Sequence, residues 1–352
     1  MILKKEAIIK EIKRIRKEIG HEDSEINIEE LKFNQSNKEL WIITSDRPDK
    51  SAVIGKGGWV VGRLKEDLDL NKIHVESYTD FIQLKHRLNL SLKKVTSELD
   101  KINKTNSIYT PLNNLKELIS KKIENVYEFN LKEEIHNYPF KPNENKDYNL
   151  VLGLSGGVDS SFSLILAKYL GFNPIAISID PGTIVLPNQF KKNIDNLTSE
   201  LNIKHEYIEV DYTTIINNSL NGKYHPCGRC SKTIEETLYN YSLKHNIPVV
   251  IFGDMLSTGS NCITYQKIED ETLLRLNLPA SLSIGKEEIK NIIKFYNVKE
   301  IDGFGCPLLY EVHKKYPHMK KYSIQRILRE NHSGALEVGQ ALDLIWSFYK
   351  TK

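Results

Sequence analysis

A glycine- and serine-rich segment in the middle of the chain has the composition of a phosphate-binding turn. An apolar run at 149–154 precedes it, and a helical pattern at 162–170 follows it. A buried strand that enters such a turn and leaves as a helix directs backbone N–H groups and the positive helix end at one point, which suits a polyphosphate. The residues predicted to contact the phosphates are Leu154, Ser155, Gly156, Gly157, Asp159, Ser160 and Ser161.

Each residue type in this turn has a chemical reason to be there. Glycine lets the backbone approach a ligand closely, and serine hydroxyls add hydrogen-bond donors. Asp159 offers the carboxylate oxygens that Mg²⁺ prefers, and Mg²⁺ accompanies most bound triphosphates. No Gly-Lys-Ser or Gly-Lys-Thr sequence follows and the spacing is not Gly-x-Gly-x-x-Gly, so the turn is neither a Walker loop nor a dinucleotide-binding turn.

Further positions are predicted to face the same ligand. Asp180 follows the apolar run 174–179, and Gly253 and Asp254 follow the apolar run 248–252. Ligands of open α/β sheets bind at the carboxyl ends of the strands. We therefore expect these three residues to lie beside the phosphate-binding turn.

Three of the four cysteines are spaced like ligands of a metal group. Cys227 and Cys230 form a Cys-x-x-Cys pair ahead of a helical pattern at 232–244, and Cys306 lies far downstream. The pair supplies half of a metal site or a redox couple. A closed zinc site needs a fourth ligand, whereas three cysteines suit a [4Fe–4S] cluster with one iron left open.

A second glycine-rich turn, Gly55-Lys56-Gly57-Gly58, interrupts two short helical patterns near the amino terminus. The surrounding patterns predict the order helix, strand, strand, helix, turn, helix, strand. Glycines let a phosphate backbone come close, and Lys56 together with the helix ends favours negative charge. The flanking cations predicted to contact phosphates are Arg47, Lys50 and Arg63.

The apolar runs and helical patterns predict the domain organisation. Apolar runs at 149–154, 174–179, 205–210 and 248–252 alternate with helical patterns, which indicates a parallel α/β sheet. Helical patterns between 80 and 129 predict a connector, and the proline-marked polar stretch 138–147 predicts a linker. We predict an α+β domain at 1–79, the connector and linker at 80–145, and an α/β domain with the phosphate-binding turn at 146–352.

The sequence Ser155-Gly156-Gly157-Val158-Asp159-Ser160 resembles the signature of the PP-loop (N-type) ATP pyrophosphatases. The resemblance implies an adenine nucleotide alpha hydrolase-like fold that splits ATP between its α- and β-phosphates. The AMP is then placed on a substrate oxygen as a leaving group. Relatives carry a Gly-His-x-x-Asp-Asp type sequence where this chain has Gly253-Asp254, so the histidine and the doubled aspartate are missing here.

The cysteine layout resembles the cluster-dependent tRNA thiolases of that superfamily, which make 2-thiocytidine and 2-thiouridine. The resemblance implies catalytic roles for Asp159, Cys227, Cys230 and Cys306, with ATP, Mg²⁺ and a [4Fe–4S] cluster as cofactors. Segments around Arg275 and Lys286 resemble an Arg-Pro-Leu and a Lys-x-Glu-Ile stretch of relatives and are expected to face the substrate.

The amino-terminal segment resembles a type II KH domain, whose Gly-x-x-Gly loop clamps the backbone of single-stranded RNA. Together the resemblances imply a sulfurtransferase acting on tRNA or another structured RNA. They also imply sulfide or a sulfur-donor protein as partner, and they allow a homodimer.

Several alternatives stay open at this point. The cysteines can support persulfide chemistry without a cluster, a zinc site completed by Cys262 or His225, or structure alone. A PP-loop ligase that adds an amine would leave the cysteines idle. An RNA-binding sensor with a degenerate nucleotide site and a thiolase for small molecules are the other candidates.

Composition limits the classes but does not select a function. The chain has 352 residues, of which 40% are hydrophobic and 27% charged, a typical globular composition. Its net charge of +3 permits a nucleic-acid partner without arguing for one. Four cysteines are too few for a disulfide scaffold. No apolar run is long enough to cross a membrane and no signal-peptide pattern is present, so we expect a cytoplasmic protein.

Overall fold

The computed structural model describes residues 4–137, 147–255, 261–300 and 305–350 of the chain. These residues belong to two compact units, Met1–His86 and Arg87–Lys352. The linker predicted at 138–147 lies outside the described residues except for Asp147. No helix within the described ranges is long and apolar enough to span a membrane. The three-part division of the chain stays a prediction.

The first unit has the predicted order of elements around a three-stranded sheet. The strand order is β1-β2-β3, with β1 antiparallel and β3 parallel to the central strand. Isoleucines recur at three- and four-residue spacing in α1, and Ile8, Ile12 and Ile15 are buried. The elements are α1 (Lys5–Glu18), β1 (Ile28–Asn34), β2 (Glu39–Thr44), α2 (Arg47–Ile54), a 3₁₀ turn (Lys56–Gly58), α3 (Trp59–Asp67) and β3 (Lys72–Ser77).

A capping box and a glycine define the two ends of α2. The Asp46 carboxylate accepts a hydrogen bond from the Arg47 N–H at 2.7 Å, and Asp49 accepts one from the Asp46 N–H at 3.3 Å. Gly55 ends the helix with φ 73° and ψ 168°, a conformation that is essentially restricted to glycine. A Cβ atom there would lie 2.2 Å from Cγ2 of Val60. The glycine turn therefore folds tightly onto α3.

The second unit is built around a six-stranded sheet with the strand order β6-β5-β4-β7-β9-β8. All neighbouring pairs are parallel except β8 and β9. Its strands are β4 (Leu150–Gly153), β5 (Pro174–Asp180), β6 (Lys204–Glu209), β7 (Val249–Ile251), β8 (Ile263–Ile268) and β9 (Glu271–Leu276). The predicted parallel α/β sheet is confirmed.

Helices connect and cover these strands. α4 begins in the first unit and ends in the second. The helices are α4 (Tyr78–Leu99), α5 (Tyr109–Glu124), α6 (Leu131–Asn137), α7 (Val158–Tyr169), α8 (Asn188–Glu200), α9 (Thr213–Leu220), α10 (Pro226–Lys244), α11 (Leu278–Ser281), α12 (Lys286–Ile293), α13 (Pro307–Lys315), α14 (Lys320–His332) and α15 (Val338–Ser347).

Two features of the second unit differ from the prediction. The sequence predicted a helix from 232, but α10 begins at Pro226, so Cys227 and Cys230 lie within its first turns. Proline at the first helical position is compatible with a helix because its missing N–H is not needed there. The β8–β9 hairpin was not predicted, since its charged and polar residues interrupt the apolar alternation.

The centre of the second unit packs backbone against backbone. α7 follows β4, and all eight residues 160–167 are buried. Gly253, just beyond β7, lies so close to α7 that a Cβ atom would be 2.6 Å from Ser160 N and 2.7 Å from Ser160 Cα. A residue larger than glycine at 253 must therefore move either the strand end or the helix.

We expect Gly253→Ala to lower the free energy of unfolding by about 1–3 kcal/mol, because backbone atoms cannot yield as a flexible side chain can. The control is Gly339→Ala in α15, where a Cβ atom meets nothing within 4 Å. That variant should be neutral or up to about 1 kcal/mol more stable. Melting temperatures of both variants measure the difference. Equal melting temperatures would contradict the close packing at Gly253.

Candidate active site

The phosphate-binding turn is held in shape by its own hydroxyls. Ser160 Oγ donates to the Gly157 carbonyl at 3.2 Å and accepts from the Ser155 N–H at 3.1 Å. Because its proton is committed, Ser160 Oγ accepts the hydrogen bond from Ser155 Oγ at 3.0 Å. The Ser160 and Ser161 side chains are buried, and Ser155 is exposed. Ser155 is therefore the hydroxyl of the turn that faces solvent.

Glycine at 156 is required by the neighbouring helix. Its φ is 71°, and a Cβ atom would lie 2.4 Å from the Phe190 carbonyl oxygen in α8. The buried side chain of Asn193 on the same helix donates to the Gly156 carbonyl at 3.0 Å and to the Lys299 carbonyl at 2.9 Å. These contacts with α8 hold the turn in place. The backbone N–H groups of the turn lie at the start of α7.

Asp159 forms a two-oxygen ion pair with Lys286, the first residue of α12. The lysine Nζ lies 2.5 Å and 2.6 Å from the two carboxylate oxygens. Both side chains are about one-fifth exposed, at 19% for the aspartate and 20% for the lysine. The negative charge of Asp159, the carboxylate predicted to bind Mg²⁺, is therefore balanced by Lys286. The same lysine can also bind a phosphate.

The other two predicted acidic positions are paired in the same way. Asp180, at the end of β5, pairs with Lys191 of α8 and accepts a hydrogen bond from the Gly182 N–H at 3.1 Å. Asp254, just after β7, lies 2.5 Å from the guanidinium of Arg275 in β9. Asp159, Asp180 and Asp254 all follow the carboxyl ends of the parallel strands β4, β5 and β7, which are neighbours in the sheet.

Arg275 is tied to several groups at this edge. Its guanidinium also contacts Glu235 at 3.1 Å and the Tyr239 hydroxyl at 3.3 Å, both on α10. It lies 4.4 Å from the centre of the Phe252 ring. Arg275 therefore joins α10, which carries the cysteine pair, to the loop after β7.

The three predicted cysteine ligands occupy two helix starts. Cys227 and Cys230 lie in the first turns of α10, and Cys306 is the residue that precedes α13. All three are partly buried. Burial, with Cys306 nearby, raises the pKa of Cys227 to about 11. Burial together with the other two thiols raises the pKa of Cys230 to about 12. The three thiols are close enough to influence one another.

Cys306 lies near the edge of the sheet that carries the phosphate-binding turn. Cys306 packs in an apolar cluster with Ile184 and Val185, which follow β5 within a few residues of Asp180. The Leu308 N–H donates to the Ile184 carbonyl at 2.9 Å. β5 is the sheet neighbour of β4, so the segment beyond each strand opens toward the same region.

Arg326 of α14 connects the two groups electrostatically. Burial opposes its charge, yet Glu330, Cys227 and Asp159 raise the pKa of Arg326. Its side chain is 54% exposed and bonds Glu330 at 3.0 Å. Arg326 therefore interacts electrostatically with both Cys227, a candidate metal ligand, and Asp159 of the phosphate-binding turn.

The three cysteines offer the kind of ligand that soft metal groups bind. Thiolates are soft ligands typical of iron–sulfur and zinc sites. Ligands of one zinc ion need sulfurs within about 4 Å of one another, and no group of three or more His, Cys, Asp or Glu in the described ranges is arranged to hold a metal ion.

Cys262 is placed apart from this set by its packing. It is fully buried at the start of β8, and its thiol lies 3.9 Å from the Ser91 carbonyl oxygen of α4. Burial raises the pKa of Cys262 to about 11. The contact with α4 accounts for Cys262 as a small buried residue of the second unit.

The cations predicted to flank the amino-terminal glycine turn are paired with carboxylates. Arg47 lies 2.9 Å from Asp80, and Lys50 lies 2.7 Å from Glu76. Arg63 contacts Glu66 at 3.4 Å and Asp67 at 3.2 Å. The predicted phosphate contacts of these three residues stay predictions.

Three residues of the candidate site were missed by the sequence reasoning. Lys191, Asn193 and Arg326 lie on helices that the sequence presents as ordinary amphipathic segments. Asn193 had a detectable signal, because an amide stands on the apolar face of α8 beside Ile194 and Leu197. Arg326 and Lys191 had no such signal, since exposed basic residues are common on helices.

Comparison with known proteins places the chain in a family. No protein-family model matches it. The uncharacterized protein MJ1638 of Methanocaldococcus jannaschii is 36% identical over 191 residues, which is 54% of this chain and 71% of the relative. The chain therefore belongs to the same family as MJ1638. The NH(3)-dependent NAD(+) synthetase of Staphylothermus marinus is 34% identical over 125 residues, 33% of this chain and 45% of that protein.

Two solved structures show weak overall similarity. The NMN synthetase of Francisella tularensis gives a TM-score of 0.37 at 15% identity, covering 68% of this chain and 92% of that one. The U34-tRNA thiolase NcsA of Methanococcus maripaludis, with its [4Fe-4S] cluster, gives 0.34 at 14% identity, covering 62% and 76%. TM-scores below 0.5 support no functional conclusion, so the function must come from this chain's own residues.

A half-buried histidine, His205, makes stability depend on pH. Ser178 Oγ donates its proton to the Leu154 carbonyl at 2.6 Å, so His205 Nε2 must donate to Ser178 Oγ at 2.8 Å. Burial lowers the pKa of His205 below its usual 6.5. The folded protein thus keeps His205 neutral at a pH where the unfolded chain binds the proton, so stability falls as the pH drops below about 6.5.

We expect His205→Gln, whose amide keeps a donor near the position of Nε2, to reduce the loss of melting temperature between pH 7.5 and pH 5.5. Burial also lowers the pKa of His313, to about 4, so part of the acid sensitivity should remain. The control is His86→Gln, because His86 is exposed. If the His205 variant lost as much melting temperature in acid as the wild type, the assignment of His205 as a half-buried, neutral histidine would be wrong.

Proposed function

We propose that this member of the MJ1638 family is a PP-loop ATP-dependent sulfurtransferase that replaces a carbonyl oxygen of a tRNA base with sulfur. The observation that supports the proposal is that a Cys-x-x-Cys pair lies at the start of α10, while Cys306, just before α13, packs against the segment beyond β5, the sheet neighbour of the strand that leads into the phosphate-binding turn. A nucleotide site alone needs no thiols. Three thiols in the same domain are explained by a reaction that uses both ATP and a sulfur-binding group.

In the proposed first step ATP activates the oxygen. The base carbonyl oxygen attacks the α-phosphorus, the bond to the β-phosphate oxygen breaks, and pyrophosphate leaves. The N–H groups at the start of α7 and the ammonium of Lys286 stabilise the charge that develops on the leaving group. Asp159 exchanges Lys286 for the Mg²⁺ that arrives with ATP.

In the second step a hydrosulfide adds to the activated carbon. AMP then leaves with the original oxygen, and loss of one proton gives the thiocarbonyl, so no net oxidation or reduction occurs. Cys227, Cys230 and Cys306 would hold a [4Fe–4S] cluster. When bound, it supplies an iron with an open position for the sulfide. Arg326 supplies positive charge that acts on both Cys227 and Asp159.

A second candidate function is supported by one relative. The similarity to an NH(3)-dependent NAD(+) synthetase favours an ATP-dependent ligase in which ammonia displaces AMP. This candidate shares the first step and differs in the nucleophile. It leaves the cysteines without a chemical role, which is why we rank it below sulfur transfer.

The amino-terminal unit is proposed to bind the RNA. Gly55, Gly57 and Gly58 all have positive φ, at 73°, 63° and 77°. Such a turn lets a phosphate backbone come closer than any turn with side chains at these positions. Lys56, the one residue of the turn with a side chain, is exposed and carries positive charge.

Anaerobic purification tests the role of the cysteines. We expect brown protein with about four irons and four acid-labile sulfides per chain, and loss of both in Cys227→Ser and in Cys306→Ser. Cys262→Ala is the control, because Cys262 packs against α4 and should leave the iron content unchanged. Colourless wild-type protein that still converts ATP to AMP would move the assignment to the ammonia-using ligase.

The nucleotide site is tested separately by pyrophosphate release. Asp159→Asn should reduce ATP-dependent release of pyrophosphate at least about 100-fold, since it removes the carboxylate for Mg²⁺ and leaves Lys286 without its partner. Asp343→Asn, on the exposed side of α15, is the matched control. The product is identified by nucleoside analysis of tRNA from cells lacking the protein. An unchanged set of thiolated nucleosides would refute tRNA thiolation.

A further inference from the structure

Trp59 is a large aromatic side chain that the first unit leaves in water. It is the first residue of α3 and is 72% exposed, more than any other large hydrophobic side chain reported for the described residues. Exposing an indole forgoes the free energy that its burial would supply. An exposed tryptophan beside a cavity is therefore a candidate binding surface.

A cavity of about 510 Å³ lies directly against this ring. Such a volume is within the range of sites for small organic groups, about 300–1,000 Å³. Its walls combine two apolar side chains with two basic ones and one stretch of bare backbone. They are formed by Ile19, His21, Lys56, Gly57 and Trp59.

The glycine turn and the end of α1 shape this cavity. Gly57 has a φ of 63°, and a Cβ atom there would lie 3.4 Å from Cδ1 of Trp59, so glycine keeps the turn in contact with the edge of the indole. On the other side α1 ends at Glu18, Gly20 adopts a φ of 75°, and the His21 N–H returns to the Arg16 carbonyl at 2.8 Å. Both walls are thus fixed by backbone geometry.

The chemistry of these walls identifies the occupant. The ring of Trp59, with an apolar neighbour, can stack against the face of another ring. Lys56 lies within the glycine turn and can bind a phosphate. An apolar peptide would use the indole but not the lysine and the bare turn. An unpaired nucleotide uses both, because its base and its phosphate are separated by one sugar.

We propose that the cavity between the end of α1 and the glycine turn binds one unpaired nucleotide of an RNA single strand, with its base stacked on Trp59 and its phosphate at Lys56. The proposal deepens the function proposed above and rests on its RNA substrate. It adds a base-binding position to a turn that otherwise contacts only the sugar–phosphate backbone. Stacking tolerates any base, so this position selects unpaired structure and not sequence.

The test uses the full-length chain and a short unstructured RNA, oligouridine of twelve nucleotides. Binding is followed by anisotropy of the labelled RNA and, separately, by quenching of intrinsic tryptophan fluorescence. We expect quenching in the wild type. We expect Trp59→Ala to remove most of it and to weaken binding roughly five- to 150-fold, the range that corresponds to losing one stacked base. Trp59→Phe, which keeps a ring, should restore part of the affinity.

Matched variants separate stacking from charge and from folding. Trp346→Phe removes another exposed indole, 60% exposed on α15 of the second unit, and should leave affinity and Trp59 quenching unchanged. Lys56→Gln should weaken binding and reduce the slope of log K against log salt by about one, as expected for one lost phosphate contact. Trp59→Ala should keep the wild-type melting temperature, because the side chain is exposed.

Two results would overturn the inference. One is wild-type oligouridine affinity in Trp59→Ala, and the other is no oligouridine binding by the wild type at low salt. The nucleotide chemistry is measured independently by pyrophosphate release and iron content. If Trp59→Ala binds oligouridine like the wild type while pyrophosphate release, iron content and tRNA thiolation are normal, the base-binding site is wrong and the proposed reaction still holds. If cells lacking the protein keep their thiolated tRNA nucleosides, the proposed function is wrong instead.

Discussion

The candidate active site depends on two places where backbones approach so closely that only glycine fits. At Gly156 a Cβ atom would be 2.4 Å from the carbonyl oxygen of Phe190, and at Gly253 it would be 2.6 Å from the Ser160 nitrogen. These contacts bring α8 and the end of β7 against the phosphate-binding turn. These contacts determine the positions of Lys191, Asn193 and Asp254. The first two residues lie on α8 and the third lies just beyond β7, the two elements that can approach the turn because glycine has no side chain.

Charge at this edge of the sheet is balanced pair by pair. Asp159, Asp180 and Asp254 each face a cation from another element: Lys286, Lys191 and Arg275. Removing one partner of a partly buried pair leaves an uncompensated charge, which costs more than the pair contributes. A magnesium–triphosphate complex brings both signs of charge. The carboxylates can turn to the metal and the cations to the phosphates while every charge stays compensated.

The cysteines are in a different electrostatic situation. Burial and mutual repulsion keep the pKa of Cys227 and of Cys230 high, so both are thiols in the protein alone. Positive charge must arrive before two or three thiolates can exist together, and Arg326 supplies only part of it. The proposed metal group would supply the rest, because metal binding deprotonates its ligands. The same burial makes these cysteines poor nucleophiles without a metal, which weakens the case for a persulfide route.

The amino-acid sequence by itself determined the elements whose signals are local. The strand–turn–helix around Ser155 to Ser161 and the four parallel strands were predicted because apolar runs and glycines act over a few residues. The order of the first unit was predicted for the same reason. The β8–β9 hairpin escaped prediction because its alternation is broken by charges. The true start of α10 was missed because Pro226 was read as a residue before a helix.

Only the tertiary structure decided which residues meet. Lys286 lies 127 positions from Asp159 in the chain, yet its ammonium holds both oxygens of that carboxylate. The position of Cys306 depends on Ile184 and Val185, and that of Arg326 on the packing of α14. Trp59 looked like an ordinary apolar residue of a helix until the fold left it exposed. Long-range pairing arises from packing between distant elements, and no periodicity within one segment encodes it.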